Sequence, residues 1–340
     1  MFDQKTVAVV VPCYDEEAQV DRVLATMPDF VDLVLVVDDG STDGTADVVR
    51  RRIEADGPQG RVVLLRHERN RGVGAAVCTG YREALRRGIE VTAVMAGDGQ
   101  MDPAELALLV GPVARGAADY AKANRLFYQG AWGRTPRHRY MGNAFLSLLT
   151  KIASGYWHVA DSQTGYAAIS RRALELLDLD AVYPRYGYPN DLLVRLNVYD
   201  MRVADVRMRP VYNVGERSKM RLWKVVPAVT WLILARFLWR MKEKYVIHDF
   251  HPLVFFYLAA AVTGLLGLGL FVRLLVVWIE VGRIPAINAL VWALCVISST
   301  QFLLFAMWFD MEMNRHLNPG RDFGSSRNGP DRRERSQRSR

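Results

Sequence analysis

Cysteine is scarce in this sequence, and the placement of the three cysteines argues against two classes of protein. Cys13, Cys78 and Cys295 are far apart, and no C-x-x-C pair occurs in the 340 residues. Disulfide-stapled domains and structural zinc sites need several cysteines at short spacing. The sequence therefore predicts neither, and its odd, dispersed cysteines are typical of a protein in a reducing compartment.

The sequence also lacks an apparent signal peptide and any internal repeat. The start, MFDQKTVAVVVP, contains only a short apolar run, which is typical of a first β-strand. Acidic residues are outnumbered by lysine and arginine, which gives a formal net charge of +8. The excess of lysine and arginine lies between Lys219 and Lys244 and after Arg315. Both segments flank apolar runs, which favours membrane lipid as a partner and not nucleic acid.

Short apolar runs alternate with amphipathic stretches in the first part of the chain. The strand-like runs are Thr6–Val11, Leu33–Val37, Val62–Leu65 and Val91–Ala96. The amphipathic stretches are Glu17–Thr26, Thr45–Glu54, Ala75–Arg87 and Pro103–Arg115. This alternation predicts an α/β fold with a mostly parallel sheet covered on both faces. Ligands of such sheets bind at the carboxyl ends of the strands.

Two long uncharged segments follow, Leu253–Val272 and Ala289–Phe309. A helix of about 20 residues spans about 30 Å, the thickness of a bilayer core, so they predict a transmembrane hairpin. Basic residues flank both outer ends, while the connector Glu280–Pro285 carries few positive charges. The positive-inside rule therefore predicts that the α/β domain and the C-terminus are cytoplasmic.

The segment before the hairpin, Leu222–Tyr245, mixes tryptophans with lysines and arginines. Its uncharged core is too short to span a bilayer, so it predicts an amphipathic helix at the membrane interface. We therefore divide the chain into an α/β domain (1–220), an interfacial helix (221–248), two transmembrane helices (249–312) and a basic tail (313–340). The tail is rich in glycine, serine and arginine and is predicted to be disordered.

Polar residues cluster after each of the four predicted strands. Asp38 and Asp39 end an apolar strand, where a desolvated carboxylate could accept hydrogen bonds from a nucleobase or ribose. Asp98 and Gln100 follow the fourth strand, and side chains two residues apart point the same way in an extended chain. Such a pair could bind one hard divalent cation together with a diphosphate, or could belong to a capped turn.

In order and spacing, these clusters resemble family 2 glycosyltransferases of the GT-A fold, and within them the polyprenyl-phosphate (dolichyl-phosphate mannose synthase-like) group. The resemblance covers about residues 6–220. It implies that Asp98 and Gln100 hold Mg²⁺ or Mn²⁺ on the diphosphate, with Ala96 replacing the first acid of the group's D-x-D-x-Q motif. The residues implied to bind the nucleotide sugar are Pro12, Tyr14, Glu16, Asp39 and Gly72.

The resemblance also implies an acceptor side. Its candidate catalytic residues are Asp98, together with Asp161 in the D-S-Q-T-G-Y segment and the acidic Asp191. A phosphate acceptor is already ionised at neutral pH, so a strong general base is not required. The cations implied to bind the lipid phosphate are Arg125, Arg137, Arg139 and Lys219.

The resemblance therefore implies a metal-dependent, inverting transfer of a hexose from a UDP- or GDP-sugar to polyprenyl or dolichyl phosphate. Membrane lipid is a further expected partner, and a homo-oligomer is compatible with the sequence. Three alternatives remain open. A processive polysaccharide synthase would carry a Q-x-x-R-W motif and more membrane spans. The motif Gly72-Val73-Gly74 is the sole support for an NAD-dependent oxidoreductase, and the replacement of an acid by Ala96 is the sole support for a non-catalytic membrane scaffold.

Overall fold

The computed structural model describes residues 1–57, 60–125, 137–208 and 222–320, with the backbone alone for 137–144 and 222–225. Lys219 and residues 321–340 of the predicted tail lie outside this part of the chain, as do the side chains of Arg137 and Arg139. The domain boundaries drawn from the sequence remain predictions.

The described residues form one seven-stranded sheet in the order β3-β2-β1-β4-β6-β5-β7. Its first four strands are parallel, and β6 runs antiparallel to both of its neighbours. The strands are β1 (Val7–Cys13), β2 (Leu33–Asp38), β3 (Val62–Arg66), β4 (Val91–Val94), β5 (Tyr120–Asn124), β6 (Ala167–Ser170) and β7 (Val203–Arg207). The predicted α/β fold with a mostly parallel sheet is confirmed.

Helices cover both faces of the sheet, and each face has its own apolar core. Side chains alternate across each strand, so that Val9 and Val11 enter one core and Ala8 and Val10 the other. The helices are α1 (Val20–Ala25), α2 (Thr45–Asp56), α3 (Val73–Arg86), α4 (Leu106–Ala114), α5 (Arg137–Ser154), α6 (Arg171–Leu176), α7 (Tyr188–Val198), α8 (Leu222–Lys242), α9 (Leu253–Val281) and α10 (Ala286–Met313).

Two predicted element boundaries are wrong for reasons that concern the site. Strand β1 continues beyond Val11 because Pro12 and Cys13 pair with Val37 and Asp38 of β2. The first helix begins at Val20 and not at Glu17. The Glu17 carboxylate instead accepts a 3.0 Å hydrogen bond from the Gly44 amide, which ties the loop after β1 to the loop after β2.

Helices α9 and α10 pair with each other and are long and apolar enough to cross a membrane. Most of their side chains are exposed, and an exposed apolar surface of this kind suggests insertion in a membrane. Helix α8 packs on α5 and α7 through buried residues such as Val229 and Ile233. Its other side exposes Trp231 and Leu238, as an amphipathic interfacial helix would.

A buried polar cluster joins the hairpin to the α/β domain. The Arg240 guanidinium of α8 pairs with Asp310 of α10 at 2.9 Å, and both side chains are fully buried. The same guanidinium donates to the Asn197 side chain at 3.2 Å and to the Ile152 carbonyl at 3.1 Å. Arg240 therefore connects α5, α7, α8 and α10. We refer to Arg240, Asp310, Asn197 and their neighbours Tyr245 and Asn314 as the hairpin clasp.

Candidate active site

A cavity of about 360 Å³ opens at the carboxyl ends of the central strands. It is formed by the loops after β1, β2, β3 and β4 together with a segment between α6 and α7. Six of the residues predicted for the site line this cavity: Pro12, Tyr14, Glu16, Asp39, Gly72 and Asp98. They come from four separate loops, so the parallel topology of the sheet brings them together.

The adjacent acids Asp38 and Asp39 have different surroundings. Asp38 is fully buried, pairs with the Arg66 guanidinium at 3.1 Å and accepts a 2.9 Å hydrogen bond from the Ser41 amide. Asp39 instead lines the cavity. The side chains of consecutive residues in an extended chain point in opposite directions, so the two carboxylates enter different surroundings. Asp38 therefore holds the loop, and Asp39 is the acid available to a ligand.

Asp39 is held in place by three hydrogen bonds. Its Oδ1 atom lies 2.7 Å from His67 Nδ1 and accepts from the Arg71 amide at 2.9 Å, while Oδ2 accepts from the Gly72 amide at 2.7 Å. The far side of the His67 ring lies 3.0 Å from the Thr79 hydroxyl. His67 is absent from the predicted site residues because a single histidine after a strand carries no motif.

Gly72 begins helix α3 with φ of +102°, a conformation that side chains with a Cβ rarely adopt. A Cβ at this position would also overlap the Pro184 carbonyl. The glycine thus allows the segment Tyr183–Tyr186 to lie directly over the start of α3. Arg185 and Tyr186 of that segment line the cavity, and neither was predicted, since the segment is distant in sequence.

Asp98 and Gln100, the residues predicted to hold a metal, are adjacent in the structure. The Asp98 carboxylate accepts from the Gln100 amide at 3.1 Å and from the Gln100 side chain. Burial raises the pKa of Asp98 above its usual value, although hydrogen bonds with Gln100 and the charge of Arg125 oppose the change. Ala96 lines the cavity beside Asp98 and contributes no oxygen.

These two residues suit a hard divalent cation in donor chemistry but supply few ligands. No group of three or more His, Cys, Asp or Glu side chains with metal-binding geometry occurs in the described residues. A partly desolvated carboxylate gains from a nearby cation, because the cation offsets the cost of its burial. A metal here would therefore need most of its remaining ligands from water and from a substrate such as a diphosphate.

A second polar group, the β5 charge cluster, lies beside the cavity and comprises Lys122, Asn124, Arg125, Asp161 and Asp205. Arg125 Nε donates to Asp161 Oδ2 at 2.8 Å, and Asn124 donates to Asp205 at 2.5 Å. The fully buried Lys122 donates to the Thr164 carbonyl. The predicted acceptor residue Arg125 and the predicted catalytic residue Asp161 thus form an ion pair.

Burial and neighbouring charges shift three pKa values in this cluster. Burial lowers the pKa of Lys122 to about 7 and raises that of Asp205 to about 6. Burial would also raise the pKa of Asp161, but Arg125 and Lys122 outweigh it, and the pKa lies below its usual value. Asp161 is therefore ionised, and Arg125, with a side chain 38% exposed, presents positive charge toward Asp98.

Asp191, which the resemblance implies as a catalytic residue, is buried among cations. It is 1% exposed and pairs with Arg195 at 3.2 Å and with Arg236 of α8 at 2.6 Å. It also accepts a 2.6 Å hydrogen bond from the Tyr183 amide, and it does not line the cavity. Through the Tyr183 amide, Asp191 is joined to the segment that carries Arg185 and Tyr186, and its catalytic role stays a prediction.

The cavity lies at the carboxyl ends of a mostly parallel sheet, as ligand sites of such folds do, and comparison with known proteins identifies the family. Residues 8–177, half of the chain, match glycosyl transferase family 2. The chain belongs to this family and is a glycosyltransferase, which confirms the resemblance found in the sequence.

Several characterised proteins are similar over the α/β domain. One is the UDP-N-acetylglucosamine–dolichyl-phosphate N-acetylglucosaminyltransferase of Methanococcus voltae, 27% identical over 62% of this chain and 87% of that protein. Another is the undecaprenyl-phosphate mannosyltransferase of Micrococcus luteus, 32% identical over 63% of this chain and 87% of that protein. Both names state a lipid-phosphate acceptor, while the sugars differ.

Among solved structures, the fold is similar to that of glucosyl-3-phosphoglycerate synthase from Mycobacterium tuberculosis in complex with Mn²⁺, UDP and glucosyl-3-phosphoglycerate. The TM-score is 0.51 at 23% identity, and the match covers 70% of this chain and 80% of that one. At this identity the likeness concerns the fold, which is of the GT-A type.

Proposed function

We propose that the protein transfers a hexose from a nucleotide sugar to polyprenyl or dolichyl phosphate at the cytoplasmic face of a membrane. The observation that carries the proposal is the position of Arg125, a partly exposed cation on an ionised Asp161, within electrostatic reach of the cavity-lining Asp98. A cation so placed suits an anionic acceptor beside the nucleotide cavity. The relatives named for dolichyl- and undecaprenyl-phosphate acceptors support the same class.

The donor end of the reaction belongs to the cavity. Pro12, Tyr14, Glu16, Asp39 and Gly72 would border the nucleoside, and Asp98 with Gln100 would hold Mg²⁺ or Mn²⁺ on the diphosphate. Such a cation, when bound, offsets the negative charge that develops on the departing nucleoside diphosphate. Burial raises the pKa of Asp98, and a cation held nearby would favour its ionised form.

The acceptor end belongs to the β5 charge cluster. Arg125 would bind the lipid phosphate, with Arg137, Arg139 and Lys219 as further candidates from the sequence. Asp161 would orient the Arg125 guanidinium, whose Nε donates to Asp161 Oδ2 at 2.8 Å. An acceptor phosphate oxygen then attacks the anomeric carbon from the side opposite the leaving group, which inverts the configuration.

The hairpin and the interfacial helix would place this cluster at the level of the lipid headgroups. Helices α9 and α10 are long enough to span the hydrocarbon core, and α8 exposes apolar side chains next to them. A lipid phosphate could then reach the cavity without leaving the bilayer. Basic residues on the outer flanks of the hairpin favour the cytoplasmic face.

The metal assignment is tested with two matched variants of the same loop. Asp98→Asn removes the charge from the cavity. Asp102→Asn makes the same change at the residue that caps the 3₁₀ turn Pro103–Glu105, where asparagine caps equally well. Purified protein is given a labelled nucleotide sugar, undecaprenyl phosphate and Mn²⁺, with and without chelator. We expect Asp98→Asn to lose at least about 100-fold in transfer and Asp102→Asn to retain it. Near-normal transfer by Asp98→Asn, or transfer insensitive to chelator, would contradict the metal assignment.

A further inference from the structure

The loop Tyr183–Gly187, which carries two of the cavity-lining residues, is held between two helices. We call it the Tyr183 loop. On one side lies α3, whose Ala75 amide donates a 3.1 Å hydrogen bond to the Pro184 carbonyl. On the other side lies α8, whose Leu232 side chain packs so closely on Gly187 that a Cβ there would come within 2.7 Å of it. The interfacial helix therefore supports one side of the loop.

The contact with α8 also includes a charged group centred on the buried Asp191. Oδ2 of this carboxylate accepts a 2.6 Å hydrogen bond from the Tyr183 amide. Nε of Arg236, from α8, lies 2.6 Å from Oδ1. The same guanidinium donates to the Ala181 carbonyl at 3.3 Å. Arg236 thus contacts the chain just before the Tyr183 loop directly, and the first residue of the loop through Asp191.

Asp191 keeps a counter-charge without Arg236. Arg195, one turn further along α7, donates to both carboxylate oxygens at 3.2 Å and also donates to the Ala181 carbonyl. Because Arg195 and Asp191 belong to the same helix, their ion pair holds the carboxylate but does not involve α8. The loss of Arg236 should therefore release α8 from the Tyr183 loop without leaving a buried carboxylate unpaired.

We propose that Arg236 is a positioning residue for donor binding, which acts through Asp191 and the Tyr183 amide to hold Arg185 and Tyr186 at the cavity. The inference rests on the proposed function, because it takes this cavity to be the nucleotide-sugar site. A ligand binds more tightly to side chains that are already held in place, because less conformational freedom is lost on binding. Helix α8 is then a support of the donor site as well as a membrane-surface element.

The test compares Arg236→Gln with Lys242→Gln in the full-length protein in detergent. Both changes remove one positive charge from α8, and Lys242, the last residue of that helix, is exposed. Binding of UDP and of GDP is measured by calorimetry with Mn²⁺, and circular dichroism checks that each variant is folded. For the nucleotide that binds more tightly, we expect a loss of about tenfold in Arg236→Gln and of less than about twofold in Lys242→Gln. Arg236→Lys should recover part of the loss, because lysine restores the charge but not the planar pair of donors.

A double-mutant cycle distinguishes positioning of the loop from a general structural effect. In the background Arg185→Ala with Tyr186→Ala, the loop lacks the side chains that Arg236 is proposed to hold, so Arg236→Gln should weaken binding by less than about twofold. Leu232→Ala removes the other contact of α8 with the loop and should weaken binding severalfold. An equal effect of Arg236→Gln in both backgrounds would overturn the inference, as would unchanged binding in both Arg236→Gln and Leu232→Ala.

Transfer of labelled sugar to undecaprenyl phosphate is measured with the same preparations. Transfer by the unmodified protein, combined with unchanged nucleotide binding in Arg236→Gln, would refute the role of Arg236 and leave the proposed function standing. Weakened nucleotide binding in Arg236→Gln, combined with no transfer by the unmodified protein, would support the inference and contradict the proposed function.

Discussion

Loss of Asp310 should destabilise the protein strongly, because the hairpin clasp would then contain a buried cation without a counter-charge. Asp310 accepts two hydrogen bonds from Arg240, at 3.0 and 2.9 Å, one from Tyr245 at 2.7 Å and one from Asn314 at 3.0 Å. In Asp310→Ala, Arg240 keeps only Asn197 and a backbone carbonyl. Removing one partner of a fully buried ion pair costs about 3–5 kcal/mol.

The assay is thermal unfolding of the purified protein in detergent, followed by circular dichroism. A loss of about 3–5 kcal/mol corresponds to a fall in Tm of roughly 4–7 °C in a chain of this size. Glu312→Ala on the same helix is the control, because its ion pair with Arg315 is exposed and should contribute less than about 1 kcal/mol. The double variant Arg240→Met with Asp310→Leu should recover most of the loss. A change in Tm below 2 °C for Asp310→Ala would refute the reasoning.

Two further predictions concern the cavity and the β5 charge cluster. Gly72→Ala should raise the KM for the nucleotide sugar about tenfold or more, because the added Cβ displaces Pro184 and the segment with Arg185. Gly116→Ala is the control, since Gly116 also has a positive φ but has open space around it. An equal KM in both variants would contradict this prediction. Burial gives Lys122 a pKa of about 7 in the folded protein against 10.5 when unfolded, so the unfolded chain binds more protons between these values. The free energy of unfolding should therefore rise by about 2 kcal/mol from pH 7 to pH 9. Lys122→Met should lack this rise in urea unfolding at the two pH values, and identical pH dependence of the two proteins would show that the shift is absent.

Much of the fold follows from local patterns in the sequence. Continuous apolar runs such as Leu33–Val37 correspond to strands, and the uncharged segments from Leu253 and Ala289 correspond to α9 and α10. Six residues that line the cavity were predicted, because their motifs resemble those of the family and lie at or after strand ends, which a parallel sheet brings together. Asp39, Gly72 and Asp98 are examples.

The rest of the site depends on contacts between distant segments, which no local pattern records. Arg185 and Tyr186 reach the cavity only because Gly72 allows close approach of their segment. The ion pairs of Asp191 with Arg195 and Arg236 bring residues of two helices together, so the acidic character of Asp191 alone could not predict them. His67 holds the Asp39 carboxylate through a 2.7 Å contact between their side chains, and no sequence motif predicts this contact.

The central claim, that the acceptor is a lipid phosphate, is tested most directly by comparing acceptors with one purified preparation. The full-length protein in detergent receives Mn²⁺ and each member of a panel of labelled nucleotide hexoses. The acceptors are undecaprenyl phosphate, undecaprenol without the phosphate, and 3-phosphoglycerate as a soluble anion. The account predicts that label enters the lipid fraction with undecaprenyl phosphate alone, and that charge reversal in Arg125→Glu reduces it by at least about tenfold. Transfer to 3-phosphoglycerate, or equal transfer to the lipid with and without its phosphate, would contradict it.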